Sequence, residues 1–219
     1  SRAPTYLKPV DEVVLKYQFQ TNNPLYRPQD GNPPQHTIYP IYNNDGITYR
    51  EHHNFSAEIQ GDGRLWNHFS LYYRPILNVF EGEKVKIDFE KVYLKAEAAR
   101  TELEVGRDSL RWGPGYHGAL LMTNNARPFD MIKLSNPQPF LLPLLGPFKF
   151  NLFLSRLDYD EPSVPKPLLY GLRLNIKPHP IFEFGISHVA VFEGEGRKGL
   201  TFGDYLEILY SNRNLEGKK

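Results

Sequence analysis

Hydrophobic positions in this chain recur with a period of two. Val13, Leu15, Tyr17 and Phe19 alternate with Val14, Lys16, Gln18 and Gln20. Successive side chains of a strand point to opposite faces, so this pattern predicts a strand with one apolar and one polar face. Ile47, Tyr49, Phe55, Ala57 and Ile59 hold one parity against Glu58 and Gln60, and Phe69, Leu71 and Tyr73 continue it. Val85, Ile87 and Phe89 alternate with Lys84, Lys86, Asp88 and Glu90. The parity then flips, with Val92, Leu94, Ala96 and Ala98 opposing Tyr93, Lys95 and Glu97. A one-residue slip exchanges the two faces, so a bulge or turn is expected near Glu90–Lys91. Leu103 and Val105 begin a further strand.

The C-terminal half is more regular. Phe148, Phe150, Leu152 and Leu154 share one face. Leu168, Tyr170, Leu172, Leu174 and Ile176 share another, opposed by Arg173 and Asn175. Lys177–Pro180 reads as a short turn, after which Phe182, Phe184 and Ile186 alternate with Glu183, Gly185 and Ser187. The span from Leu168 to Phe192 is therefore a long antiparallel hairpin. Antiparallel strands are expected at 84–98, 148–156, 168–177 and 181–192, with Phe182, Phe184 and Ile186 on the face of Leu168, Tyr170, Leu172 and Leu174. Strands of about ten residues suit a tilted bilayer crossing, whereas strands of soluble domains run nearer five or six. Longer polar connections are read at 21–46, 158–167 and 194–204. Phe202–Tyr210 fits a helix or a strand.

Composition changes this picture little. The chain has 219 residues, a net charge of +1, no cysteine, 14% aromatic residues and a mean hydropathy of −0.50. Balanced charge leaves no footprint for nucleic acid. The lack of cysteine excludes disulfides, a thiolate nucleophile and a cysteine zinc site. A soluble-looking mean does not exclude a membrane barrel, because only alternate residues of its strands meet lipid. The longest apolar run, Pro139–Phe148, contains three prolines and falls well short of the about 20 residues a membrane helix needs.

Most motifs of catalytic type dissolve on inspection. Gly194–Gly199 fits the dinucleotide pattern G-x-G-x-x-G, but a meander of antiparallel hairpins supplies no βαβ unit around it. His52 and His53, being adjacent on a strand, point to opposite faces, and neither they nor His68 has a helical partner for a metal. Asp158, Asp160 and Glu161 sit in one loop, where a facing acid/base pair for glycan hydrolysis is hard to build. No G-x-S-x-G elbow is present. No enzyme constellation, cofactor or metal is expected.

The segment Gly106–Phe129 carries more. Gly106-Arg107 ends a strand, Trp112-Gly113-Pro114-Gly115 makes a glycine-permitted turn, and Gly118-Ala119-Leu120 and Asn125-Ala126-Arg127-Pro128 follow. In that order and spacing these elements resemble the Wzi capsule-assembly family of outer-membrane β-barrels, and the similarity extends weakly from about Asp11 to Asn214. The resemblance implies an all-β, antiparallel transmembrane β-barrel of about 18 strands. Against it the chain, with roughly eight to ten strand candidates where about eight close a small barrel, reads as a single β-barrel domain, 1–219, incomplete at both ends. It implies a non-enzymatic, lectin-like protein of the cell outer membrane that attaches acidic capsular polysaccharide to the surface, a monomer in contact with outer-membrane lipid. A porin-like channel or secretion component, and a soluble all-β carbohydrate-active enzyme, are the alternatives.

Arg107, Arg111, Arg127 and Arg156 lie in or beside apolar segments. In a membrane barrel they would have to avoid the lipid face. Arginine forks bind carboxylates, and flat side chains stack on sugar rings. The candidate glycan-binding set is thus Arg107, Arg111, Trp112, Tyr116, His117 and Arg127. The competing reading makes Trp112 a packing anchor and Arg107 the partner of an acidic residue.

Overall fold

The computed structural model describes residues 5–21, 45–47, 49–113, 119, 121–157, 166–192 and 203. Most of the loops expected at 21–46, 158–167 and 194–204, nearly all of Phe202–Tyr210, and Tyr116 and His117 lie outside the described residues.

Ten strands are present: β1 (Tyr6–Gln20), β2 (His52–Leu65), β3 (Phe69–Phe80), β4 (Lys86–Ala98), β5 (Thr101–Asp108), β6 (Phe129–Ser135), β7 (Phe140–Leu142), β8 (Gly146–Arg156), β9 (Leu168–His179) and β10 (Phe182–Phe192). They form an all-β antiparallel sheet in the order β1-β2-β3-β4-β5-β6-β8-β9-β10, with β7 paired to β8. Its end strands, β1 and β10, do not pair with each other among the described residues. The four strands expected from periodicity are β4, β8, β9 and β10. Phe184 pairs with Ile176 and Ile186 with Leu174 across the β9–β10 hairpin, so these apolar residues share a face as expected.

The parity flip in β4 is a bulge. Arg74 pairs with Lys91 and Pro75 with Phe89, which leaves Glu90 as the extra residue. Proline has no N–H for the ladder, and the bulge falls beside that missing donor. The β9–β10 turn is displaced from its expected place. β9 runs through Lys177, Pro178 and His179, and Pro180–Ile181 turns the chain, with a register shift between Phe182 and Phe184 absorbing the offset.

Ile47 and Tyr49 do not extend β2. His52 has a φ of 66°, which breaks the parity at the strand's start. Tyr49 is buried, with its ring 6.0 Å from that of Phe80, while Phe55 is exposed alongside Val79, its partner in register. Burial raises the Tyr49 phenol pKa above its ordinary value. β6 and β7 were not legible as strands. β7 and β8 divide the proline-rich apolar run between them, joined by a tight turn in which Leu144 and Gly146 have positive φ.

The chain divides into two compact units, Ser1–Glu97 with Val105–Phe129, and Ala98–Glu104 with Asp130–Lys219. Each has the same inverted distribution. In the first, Val13, Leu15 and Tyr17 stand opposite Ile59, Ala57 and Phe55, and Ala57 and Phe55 stand opposite Leu77 and Val79, which makes one continuous apolar face. Much of it is open: Leu15 is 66% exposed and Ile87 75%. The other face holds Asn54, Ser56, Glu58, Asn78 and Glu90, all buried. In the second unit Ile132, Leu154, Phe184 and Ile186 are exposed, whereas Glu104, Lys133 and Ser155 are buried. Glu58 is 1% exposed and Glu104 0%. A protein dissolved in water places residues the other way round.

Candidate functional site

The alternation that puts Leu15 and Ile59 on one face puts Lys16 and Glu58 on the other, where they form a salt bridge. Arg74 of β3 lies at the centre of this polar face. Its Nε donates to Glu90 Oε2 at 2.7 Å and approaches Glu58 Oε2 at 3.3 Å, and its Nη2 reaches Asp45 Oδ2 at 2.9 Å. Lys91 continues the network to Asp45 Oδ1 at 3.6 Å and Asp108 Oδ1 at 3.5 Å. The bulge at Glu90 has a local purpose: the extra residue delivers a carboxylate against Arg74 while Lys91 stays on the same polar face. Buried charges persist where partners surround them, and here carboxylates and cations interleave.

Asp45 and Gly46 tie this network to the Gly106–Phe129 segment. Gly46 has a φ of 70°, and a Cβ there would stand 2.3 Å from the backbone nitrogen of Arg127 and 2.7 Å from the carbonyl carbon of Ala126. The Asn-Ala-Arg-Pro run therefore rests directly on a turn that only glycine fits. Gly106 plays a similar part at the other end. Its φ is 141°, and a Cβ would meet the Val92 carbonyl oxygen at 2.3 Å and Tyr93 Cα at 2.6 Å. Gly106→Ala should lower stability by about 1–3 kcal/mol through strain and forced separation from β4. Chemical denaturation against the parent protein measures this, and an unchanged midpoint would show that the backbone relaxes at no cost.

The site residues expected from sequence are placed as follows. Arg107 Nη1 lies 3.5 Å from Asp88 Oδ1 and donates to the Phe89 carbonyl oxygen at 3.3 Å. Arg127 Nη2 lies 3.5 Å from Asp88 Oδ2 and its side chain is 63% exposed. Arg111 is exposed. Trp112 is 5% exposed, and its backbone N–H donates to the Met122 carbonyl oxygen at 3.0 Å. The indole is thus buried, while two arginines from separate stretches of chain converge on one carboxylate. Arg156 is the last residue of β8, on the parity of exposed Leu154. A long cationic side chain at a strand end can extend its head towards water.

Asp88, Asp45, Arg74, Glu58 and Glu90 were not singled out by motif. Parity marks Asp88, Glu58 and Glu90 as polar-face residues, but it carries no information about which of them meet. Among the described residues no three His, Asp or Glu side chains gather as a metal site.

Residues 35–219 match the family model described as capsule assembly protein Wzi. The chain is also similar to a protein of Klebsiella pneumoniae described as an uncharacterized 55.8 kDa protein in the cps region, at 28% identity over 100 residues. That stretch is 43% of this chain and 20% of the relative, so the chain spans only a small part of the relative's length. No solved structure matches. The family model covers well over half of the sequence, and the chain belongs to the Wzi capsule assembly protein family.

Proposed function

We propose that this chain is part of an outer-membrane β-barrel that holds acidic capsular polysaccharide at the cell surface by binding it, without catalysing a reaction. The observation that carries the membrane half of this reading is the inverted sheet, with leucine, isoleucine and phenylalanine open on one face and ion pairs buried on the other. Lipid is the environment that turns such a face from a liability into a stabilising contact. Family membership and the relative from a cps region support the capsule half.

In this proposal Arg107, Arg111 and Arg127, with Tyr116 and His117, meet the glycan. Arginine forks take uronate carboxylates, and flat rings pack on the sugar faces. Trp112 holds the segment from beneath. Cells lacking the protein should release capsule into the medium, and the restored protein should retain it. Arg111→Ala should fold normally and bind acidic capsular polysaccharide more weakly by about 1–3 kcal/mol, the worth of a charge-assisted hydrogen bond. Trp112→Ala should instead lower the melting temperature and leave affinity unchanged in the folded fraction. Full affinity in a well-folded Arg107→Ala/Arg111→Ala double variant would remove this segment from the binding site.

A further inference from the structure

We propose that Asp88 is an internal stand-in for the ligand's carboxylate, and that it sets how tightly the arginine pair takes acidic glycan. The inference rests on the polysaccharide-binding reading above and adds a residue that weakens binding rather than making it.

Asp88 lies on β4, on the parity of the polar face, and presents its two carboxylate oxygens to two different cations. Oδ1 is 3.5 Å from Arg107 Nη1 and Oδ2 is 3.5 Å from Arg127 Nη2. Arg107 comes from β5 and Arg127 from the Asn-Ala-Arg-Pro run, whose backbone is fixed against Gly46. One carboxylate held between two arginines is the arrangement a uronate would adopt there. The fit to Asp88 is loose, however. A well-formed arginine–carboxylate fork closes to about 2.7–2.9 Å. Asp88 Oδ1 also accepts the Phe89 backbone N–H at 2.8 Å, which holds the carboxylate to its own strand. The Asp88 side chain is 30% exposed and that of Arg127 63%, so a ligand can reach the pair. Partly exposed ion pairs are weak, and a mobile carboxylate free to align with both forks can replace one that is not.

Specificity follows from the same geometry. With Asp88 in place one of the two positive charges is offset, so a chance anion gains less than it would from the bare pair. A chain of uronates gains more, because neighbouring residues of one polymer add their contacts at high effective concentration. Asp88 would thus favour polymer over single acidic sugars.

The test is binding of oligoglucuronate to the full chain in detergent at fixed salt, with a neutral glucan of equal length as control. Asp88→Asn should tighten oligoglucuronate binding about five- to tenfold, the effect of releasing two partly exposed ion pairs. Adding Arg107→Ala and Arg127→Ala to it should abolish the gain, and binding of the neutral glucan should not change. Asp88→Ser, scored beside it for melting temperature, provides a second variant should the amide disturb folding. If the parent protein binds oligoglucuronate and neither folded variant binds it more tightly, this inference falls while the polysaccharide reading stands. If neither the parent protein nor any folded variant binds it, both fall. Binding gained only on loss of Asp88 supports the inference.

Discussion

Replacing Lys133 with methionine should lower the unfolding free energy by about 3–5 kcal/mol, because it strands a buried carboxylate. Lys133 Nζ and Glu104 Oε2 are 2.5 Å apart, with side-chain exposures of 9% and 0%. Both side chains are buried, so removing the cation leaves the Glu104 carboxylate short of a counter-charge where water is scarce. The loss should be specific to breaking the pair. Glu104→Gln combined with Lys133→Met removes both charges, and should recover most of the stability that the single change costs. Equilibrium unfolding by urea in lipid vesicles measures all three proteins. A Lys133→Met protein as stable as its parent would mean that water reaches Glu104, and that the polar face of this unit is wet.

Leu15→Arg should destabilise the protein in phospholipid vesicles by about 2–4 kcal/mol if β1 crosses the bilayer near its midpoint there, the cost of an arginine on the lipid-facing side of a barrel strand. The matched control is Val14→Arg. Val14 pairs in register with Glu58 on the polar face, where a cation finds acidic neighbours, and this change should cost far less. The contrast between adjacent residues isolates the face from the strand. Equal effects at the two positions would remove the argument for an outward apolar surface and, with it, the placement of this chain in the outer membrane.

Much of the architecture was legible along the chain. The alternation of Val13 to Phe19, Phe148 to Leu154 and Leu168 to Ile176 specified strands and sorted their faces, because side-chain direction in a strand is set by position alone. The parity flip after Phe89 located a bulge to within a residue or two, since only an inserted residue exchanges faces without ending the strand. The failures have a common cause. Tyr49 shared the parity of Phe55, yet a positive φ at His52 puts it against Phe80. β7 was hidden in a proline-rich run that only its pairing with β8 makes a strand. Backbone conformation at single residues, and pairing between distant ones, leave no periodic trace.

The site divides in the same way. The Trp-Gly-Pro-Gly and Asn-Ala-Arg-Pro elements marked the segment, and arginine chemistry suggested carboxylate as what it meets. Burial of Trp112 and convergence of Arg107 and Arg127 on Asp88 came from tertiary structure alone. By itself the sequence determined the strand class, the two-faced pattern and the family, because these depend on residue order and local geometry. Only the tertiary structure decided which charges are partners. An ion pair such as Glu104–Lys133 or Asp88–Arg127 joins residues far apart in the chain, and their few ångströms of separation are set by strand register and turn geometry rather than by either residue's neighbours.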